Sequence, residues 1–294
     1  MASVSSDIKN GYVIAPDRSK TAKESAWEGN CEKKPWDYRI TAVIPVLDTY
    51  DTLEVCVKLL QLQTVRPFIT IIDTGSCAKQ LEKICALRDE DVEVHSLRLN
   101  GVLHPSDFPA MAMDLAFTLC RTNFLFATHA DVFLKRVDLL EDLLDKVKRI
   151  APVVGYELSP RSHTDWKGMV SHTCTMYHMG TMDRIGFGWS LRRLCNMMGI
   201  KDHKPDPMRP NWPDTEILGN YILRYYKIQP HLIGREENHE RHVDENIDHC
   251  RSVTSGRLYS PVYAATANGW VEEAIRDAQE RIRDWTNYSP EADI

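Results

Sequence analysis

The chain lacks any run approaching the ~20 consecutive apolar residues that a membrane-spanning helix needs. Its opening residues, MASVSSDIKNGYV, lack the apolar centre of a secretory signal. No block of basic residues occurs and the net charge is −6, which argues against broad electrostatic binding of nucleic acid or anionic membrane while leaving room for a local basic groove. No C-x-x-C pair joins Cys31, Cys56, Cys77, Cys85, Cys120, Cys174, Cys195 and Cys250, and several of them fall in apolar segments. They read as reduced, small buried hydrophobes, and the expected setting is cytoplasmic. There is no internal repeat. There is also no G-x-G-x-x-G, which disfavours a dinucleotide-binding fold. What remains is an ordinary globular composition of 294 residues, 43% of them hydrophobic, enough for one large α/β domain or two modest ones.

The most informative stretch is ITAVIPVLDTYDTLEVCVKLLQLQTVRPFITIIDTGS, residues 40–76. Ile40, Ala42, Val43, Ile44 and Val46 form a short apolar run rich in β-branched residues, as in a buried parallel strand. Pro45, Asp48 and Asp51 end it. Leu53, Val55, Cys56, Leu59, Leu60 and Leu62 then recur at helical spacing, and Phe68–Ile72 is a second buried strand, followed by Asp73-Thr74-Gly75-Ser76. Such a β-α-β unit requires a parallel pair with a right-handed crossover. Ligands of such sheets bind outside the carboxyl ends of the strands, where Asp48 and Asp73 stand.

Further along, helices are expected over Ala78–Arg88 (Leu81, Ile84, Cys85 and Leu87 inward), over Ala110–Cys120 through Met111, Leu115 and Leu119, and over Leu139–Ile150. Strands are expected over Val92–Leu97, Asn123–Thr128 and Pro152–Glu157. This alternation predicts a mostly parallel sheet with helices on both faces. Asn100–Asp107, Gly180–Trp189 and Pro205–Pro213 read as loops. Asp214–Tyr225 reads as a helix with Ile217, Leu218, Tyr221 and Ile222 inward. Ile228–Ile233 reads as an edge strand tolerating Pro230, and Val271–Trp285 as an amphipathic helix returning onto the domain. In residues 1–37 the first part reads as loose, and the part bearing Trp27 and Trp36 as packed on the body.

The pattern V-I-P-V-L-D, L…C…L…Q-T…P, I-I-D-x-G-S resembles the opening of the family 2 type glycosyltransferases, closely over Ile40–Ser76 and more loosely to about His239. The resemblance implies the GT-A fold over residues 38–250, with a nucleotide-binding half at 38–135, an acceptor-binding half at 136–250, and a helical segment at 251–294 packing on it. It implies an inverting, metal-dependent transfer of a sugar from a nucleotide-diphosphate donor, a UDP-sugar, to an acceptor hydroxyl. Pro45, Val46, Leu47 and Asp48 would line base and ribose, and Asp73 would bond the nucleobase, although an Asx-turn with Gly75 is compatible with the same residues.

His129-Ala130-Asp131 stands where the family carries D-x-D. Asp131 would then be a ligand of Mn²⁺ or Mg²⁺, with His129 replacing the first aspartate and contacting ribose or metal, or shaping the loop. Asp214 aligns with the family's catalytic base, with Glu216 in reserve and Pro213 in place of the usual glutamate, but an acid at a helix start is also a routine N-cap. His239, or else His242, would complete the metal shell, and Arg235 and Arg241 would neutralise phosphate. The plainer reading of that segment is a solvated charged loop. An H-x-x-H zinc site lacks a third ligand at suitable spacing. Trp166, Trp189 and Trp212 suit either an acceptor wall or ordinary packing.

Two other readings stand beside transfer. One is a nucleotide-sugar-binding or nucleotidyltransferase-like protein, though VIPVLDTYD lacks the Gly-rich basic loop of the latter. The other is a non-enzymatic interaction module. The acceptor is open between a saccharide, a protein side chain, a small molecule and a modified DNA base.

Overall fold

The computed structural model describes residues 38–97, 107–158, 167–190, 193, 194, 196, 215–235, 241–250 and 261–287. The leading apolar run forms β1 (Ile40–Val46), almost wholly buried. It is followed by α1 (Tyr50–Gln61) and by β2 (Phe68–Asp73), buried throughout. β1 and β2 pair in parallel, from Thr41 opposite Phe68 to Val46 opposite Asp73. The alternation continues with α2 (Ala78–Cys85), β3 (Val92–Ser96), α3 (Asp107–Leu119) and β4 (Phe124–Thr128). After these come β5 (Val132–Leu134), α4 (Leu139–Arg149), β6 (Val153–Glu157), β7 (Val170–His178), α5 (Met179–Ile185), α6 (Ile217–Tyr225), β8 (His231–Arg235), β9 (His242–Val243), β10 (Ile247–His249) and α7 (Pro261–Asn287).

Seven strands make one sheet in the order β3-β2-β1-β4-β7-β6-β8, and β5-β10-β9 make a small second sheet. β7 runs antiparallel to both its neighbours, and the other six strands share one direction. The mostly parallel sheet expected from the alternation is present, and so are helices on both its faces. One core, containing Ile44, Leu53, Leu60, Phe126, Leu143, Val147 and Ala274, joins one face of the sheet to α1, α4 and α7. The other, containing Val43, Ala112, Ala116, Met182 and Leu218, joins the opposite face to α3, α5 and α6. α4 shows why its sequence chooses a helix. Leu139, Leu140, Leu143, Leu144 and Val147 make one buried stripe, acids occupy its first turn, and Lys146, Lys148 and Arg149 occupy its last, where they oppose the helix dipole.

The strand order places the topological switch between β1 and β4: the chain leaves β1 toward β2 and leaves β4 toward the other half. A crevice opens at the carboxyl ends of strands at such a point.

Several expectations need correction. β7 was not anticipated, because its Ser/Thr/His alternation carries too few apolar residues to announce a strand that is nevertheless buried almost throughout. Met179–Ile185 is a helix inside the stretch read as a loop, stopped by Gly186 in the left-handed region (φ 61°). In α3 the buried set is Ala110, Ala112, Met113 and Ala116 rather than Met111, Leu115 and Leu119, because small residues let the helix lie close to the sheet. Tyr221 faces solvent on α6. α2 ends at Cys85, and of its expected inward residues only Ile84 is fully buried. Residues 1–37, 100–106 and 205–213 lie outside the described residues.

Candidate functional site

At the carboxyl ends of β1 and β2 the backbone is latched by side chains. The Thr74 N–H donates to Val46 O (3.0 Å). The Asp48 N–H donates to Ser76 Oγ (2.8 Å), and the Cys77 N–H donates to Asp48 Oδ1 (2.8 Å). Asp48 holds this latch with φ 53°, an uncommon conformation for a non-glycine residue. Asp73 is fully buried. It receives the Ser76 N–H on Oδ1 (3.0 Å) and the Ser96 hydroxyl on Oδ2 (3.1 Å). The expected turn is therefore closed onto Ser76 rather than Gly75, and the same carboxylate fastens the end of β3. Pro45, Leu47 and Asp48 are half-buried along this rim, and Val46 is buried.

β4 runs directly into His129-Ala130-Asp131. A tight turn (Val132 N–H to His129 O, 3.3 Å) leads into β5. β10 lies antiparallel against β5 with His249 opposite Val132, and the Cys250 N–H donates to Asp131 O (3.0 Å). The small sheet thus carries His249 to Asp131, with Nε2 3.6 Å from Oδ1. One ligand atom from each of His129, Asp131 and His249 lies within 4.8 Å of the others. On the other side, the His129 ring meets that of His172 at 4.4 Å in an edge-on arrangement. His172 Nδ1 lies 2.9 Å from Glu216 Oε1. Asn220 fixes Glu216 against β7: its amide bonds Val170 N–H and C=O (2.8 Å each) and also donates to Glu216 O (2.9 Å).

The protonation states suit a cation. Burial, reinforced by the His172 and His249 rings, pushes the His129 imidazole down to about 3, so it is neutral. Burial alone would raise the Asp131 carboxyl, but His249, by charge and hydrogen bond, and then His129 outweigh burial and hold it below its usual range. Burial, and next the Asp131 charge, push the neighbouring Cys56 and Cys250 thiols up, so they stay protonated. His129 Nε2 is buried without a hydrogen-bond partner, an uncompensated lone pair or N–H that a metal ion would account for. Two imidazoles and a carboxylate fit Mn²⁺, Co²⁺, Fe²⁺ or Zn²⁺ better than Mg²⁺, which favours oxygen.

Asp214 and His239 lie outside the described residues, as do Trp166 and Trp212. His242 Nε2 sits 3.2 Å from Asp244 Oδ2, inside the β9–β10 turn. Arg241 is committed to carboxylates rather than left for phosphate, and Arg235 lies 3.7 Å from Glu157. Trp189 is buried among Phe117, Tyr177 and Phe187, so it belongs to the core and not to an acceptor wall. His172 and His249 were missed from the sequence. Each stands in a short, strand-like stretch (V-S-H-T-C, I-D-H-C), and an imidazole inside a buried strand was the available signal.

No family model matches the sequence, and no curated protein matches it. Solved structures with similarity include the mannosyltransferase PcManGT from Pyrobaculum calidifontis in complex with GDP-Man and Mn²⁺ (11% identity, 88% of this chain and 81% of that one, TM-score 0.49). They also include residues 1–349 of S. aureus TarS (12%, 51% and 50%, TM-score 0.41) and the galactosyltransferase LgtC with donor and acceptor sugar analogues (12%, 49% and 59%, TM-score 0.38). The chain spans about half the length of the TarS structure. At such identities and scores the functional reading rests on this chain's own residues. Among the described residues no helix is long and apolar enough to cross a membrane.

Proposed function

We propose that this chain is a glycosyltransferase of GT-A type that moves a sugar from a nucleotide-diphosphate donor, a UDP-sugar, to an acceptor hydroxyl with inversion. The observation that carries the reading is the gathering of His129, Asp131 and His249 at the carboxyl end of β4, beside the rim formed after β1. That is where a parallel sheet of this order opens its crevice. The latched loop of Pro45, Val46, Leu47 and Asp48, with Asp73 shaping the turn beside it, supplies a rigid wall for base and ribose.

A divalent ion held by His129, Asp131 and His249 would neutralise the leaving diphosphate. Asp214, immediately before the turn that starts α6, takes the acceptor proton as general base, with Glu216 in reserve. A single displacement by one base inverts the anomeric centre. Glu216 is fixed by Asn220 and His172 at the border of the same cluster, which supports placing the acceptor hydroxyl on this side.

Titrating the full chain with UDP in calorimetry, with and without Mn²⁺, tests the reading, together with hydrolysis of a nucleotide-sugar panel. Metal-dependent heat with UDP and release of UDP from one donor are expected. Absence of both, with Asp131→Ala indistinguishable from wild type, overturns it.

A further inference from the structure

The geometry points to Arg241 as a positioning residue for the candidate metal site: it clamps β10, the strand that carries His249, to the C-terminal helix. This rests on the reading of His129, Asp131 and His249 as a metal site. β10 is three residues long and its outer neighbour β9 is two, so the ladder around His249 has few hydrogen bonds with which to hold a ligand in place. Side chains alternate along a strand, so Asp248 projects opposite to His249. The Asp248 carboxylate is buried and receives the Arg241 fork, Nε to Oδ1 at 2.9 Å and Nη2 to Oδ2 at 2.6 Å. The same guanidinium reaches Glu273 and Asp277, one turn apart on α7, at 3.4 Å each. Because Cys250 N–H bonds Asp131 O and Val132 pairs with His249, a shift of β10 displaces two of the three ligands together.

A purely structural role predicts something different. Glu273 and Asp277 are about half-exposed, and ion pairs with such groups contribute little to stability. Removing Arg241 itself also leaves the buried Asp248 carboxylate unpaired and lowers the melting temperature, so the positioning effect is separated from stability in the Glu273→Gln/Asp277→Asn variant, where only exposed pairs are lost. Outer groups that orient metal ligands typically change affinity by ~10–100-fold when removed.

The test uses the full chain, with Co²⁺ followed by visible absorption and thermal unfolding measured without metal. Wild type is expected to give a Co²⁺ spectrum that His249→Ala abolishes. Arg241→Met weakens Co²⁺ by at least ~10-fold and shifts the absorption bands. Arg241→Lys, which keeps the charge but loses the fork, recovers only part. The double variant Glu273→Gln/Asp277→Asn weakens Co²⁺ in the same direction with a small change in Tm. A folded Arg241→Met protein with wild-type affinity and spectrum overturns the positioning role. If that variant does not fold, unchanged Co²⁺ affinity in the double variant overturns it instead. Wild type without a His249-dependent Co²⁺ signal removes the metal reading itself, and the inference falls with it.

Discussion

Glu216 Oε1 stands 2.9 Å from His172 Nδ1, and the ring of His172 meets that of His129 at 4.4 Å. A helix start and an antiparallel strand far apart in sequence are thereby joined to the turn after β4. The side chain that permits this is Asn220, whose amide replaces a strand partner for Val170 and holds the Glu216 carbonyl. Asn220→Ala leaves the buried Val170 N–H and C=O unsatisfied, so it is expected to destabilise the protein by roughly 2–3 kcal/mol. It should also loosen the Glu216–His172 pair. Urea unfolding measures the first effect. A stability equal to wild type would show that the amide bridge is not holding α6 to β7.

The candidate metal site gives a direct choice between two histidines. Asp131→Ala and His249→Ala are each expected to abolish the Mn²⁺-dependent gain in stability, which for an ion at ~100 times its Kd amounts to about 2.7 kcal/mol and raises Tm. His239→Ala is expected to retain it. The opposite pattern, with His239 essential and His249 dispensable, would move the third ligand into the segment first suggested by the sequence. Mg²⁺ is expected to give a smaller rise than Mn²⁺ or Co²⁺ at equal concentration, because two of the three donors are imidazoles.

How much of this was legible follows the physics of each element. β1, α1 and β2 announced themselves because buried parallel strands read as continuous apolar runs, and the loop ends at Asp48 and Asp73 came with them. Asp131 was singled out because it stands where the resembled family carries D-x-D, at the end of a strand of Phe and Leu. β7 was not, since Ser171, Thr173 and Thr175 are buried polar residues hydrogen-bonded within their own strand, and the buried His172 between them faces Glu216. His249 carried only the weak signal of a histidine in a short strand-like stretch. Its role depends on β10 finding β5 across more than a hundred residues, a pairing that no local pattern encodes.

Asp114 and His129 pull the pH dependence of stability in opposite directions: the lowered His129 imidazole contributes stability that grows as pH rises toward 6.5, and Asp114 opposes it. The Asp114 carboxylate lies against the Gly188–Ser190 segment, where Oδ1 accepts the Trp189 N–H at 2.8 Å. Burial raises it to about 6, against the opposing pull of the Trp189 and Ser190 amides and of Arg193. A carboxyl raised in the folded state binds its proton more tightly there than in the unfolded chain. The contribution of this group is therefore expected to fall as pH rises from about 4 to 6, by roughly 2–3 kcal/mol. Asp131 acts in the other window: its lowered value contributes stability above about pH 4 that is lost on further acidification. Asp114→Asn is expected to make stability rise more steeply with pH between 4 and 6 in denaturant titrations, because the opposing His129 contribution remains. A slope identical to wild type would show that Asp114 does not oppose it.

Gly219 tests how closely α6 is held. A Cβ at this position would lie 2.5 Å from Cζ and 2.7 Å from Cε2 of Phe187, whose ring is confined by Tyr177 and Trp189. The ring cannot rotate away cheaply, because Trp189 stands edge-on at 4.8 Å and is itself buried. Gly219→Ala gains about 1 kcal/mol of helix propensity but overpacks the contact at a cost of about 1–3 kcal/mol. The expected result is a net loss of stability in urea unfolding. Because Gly219 lies between Glu216 and Asn220, the displaced helix start should also move Glu216 away from His172 and reduce donor hydrolysis, while metal binding by His129, Asp131 and His249 persists. A stabilised variant would mean that Phe187 yields, and that the position of Glu216 is set by Asn220 alone.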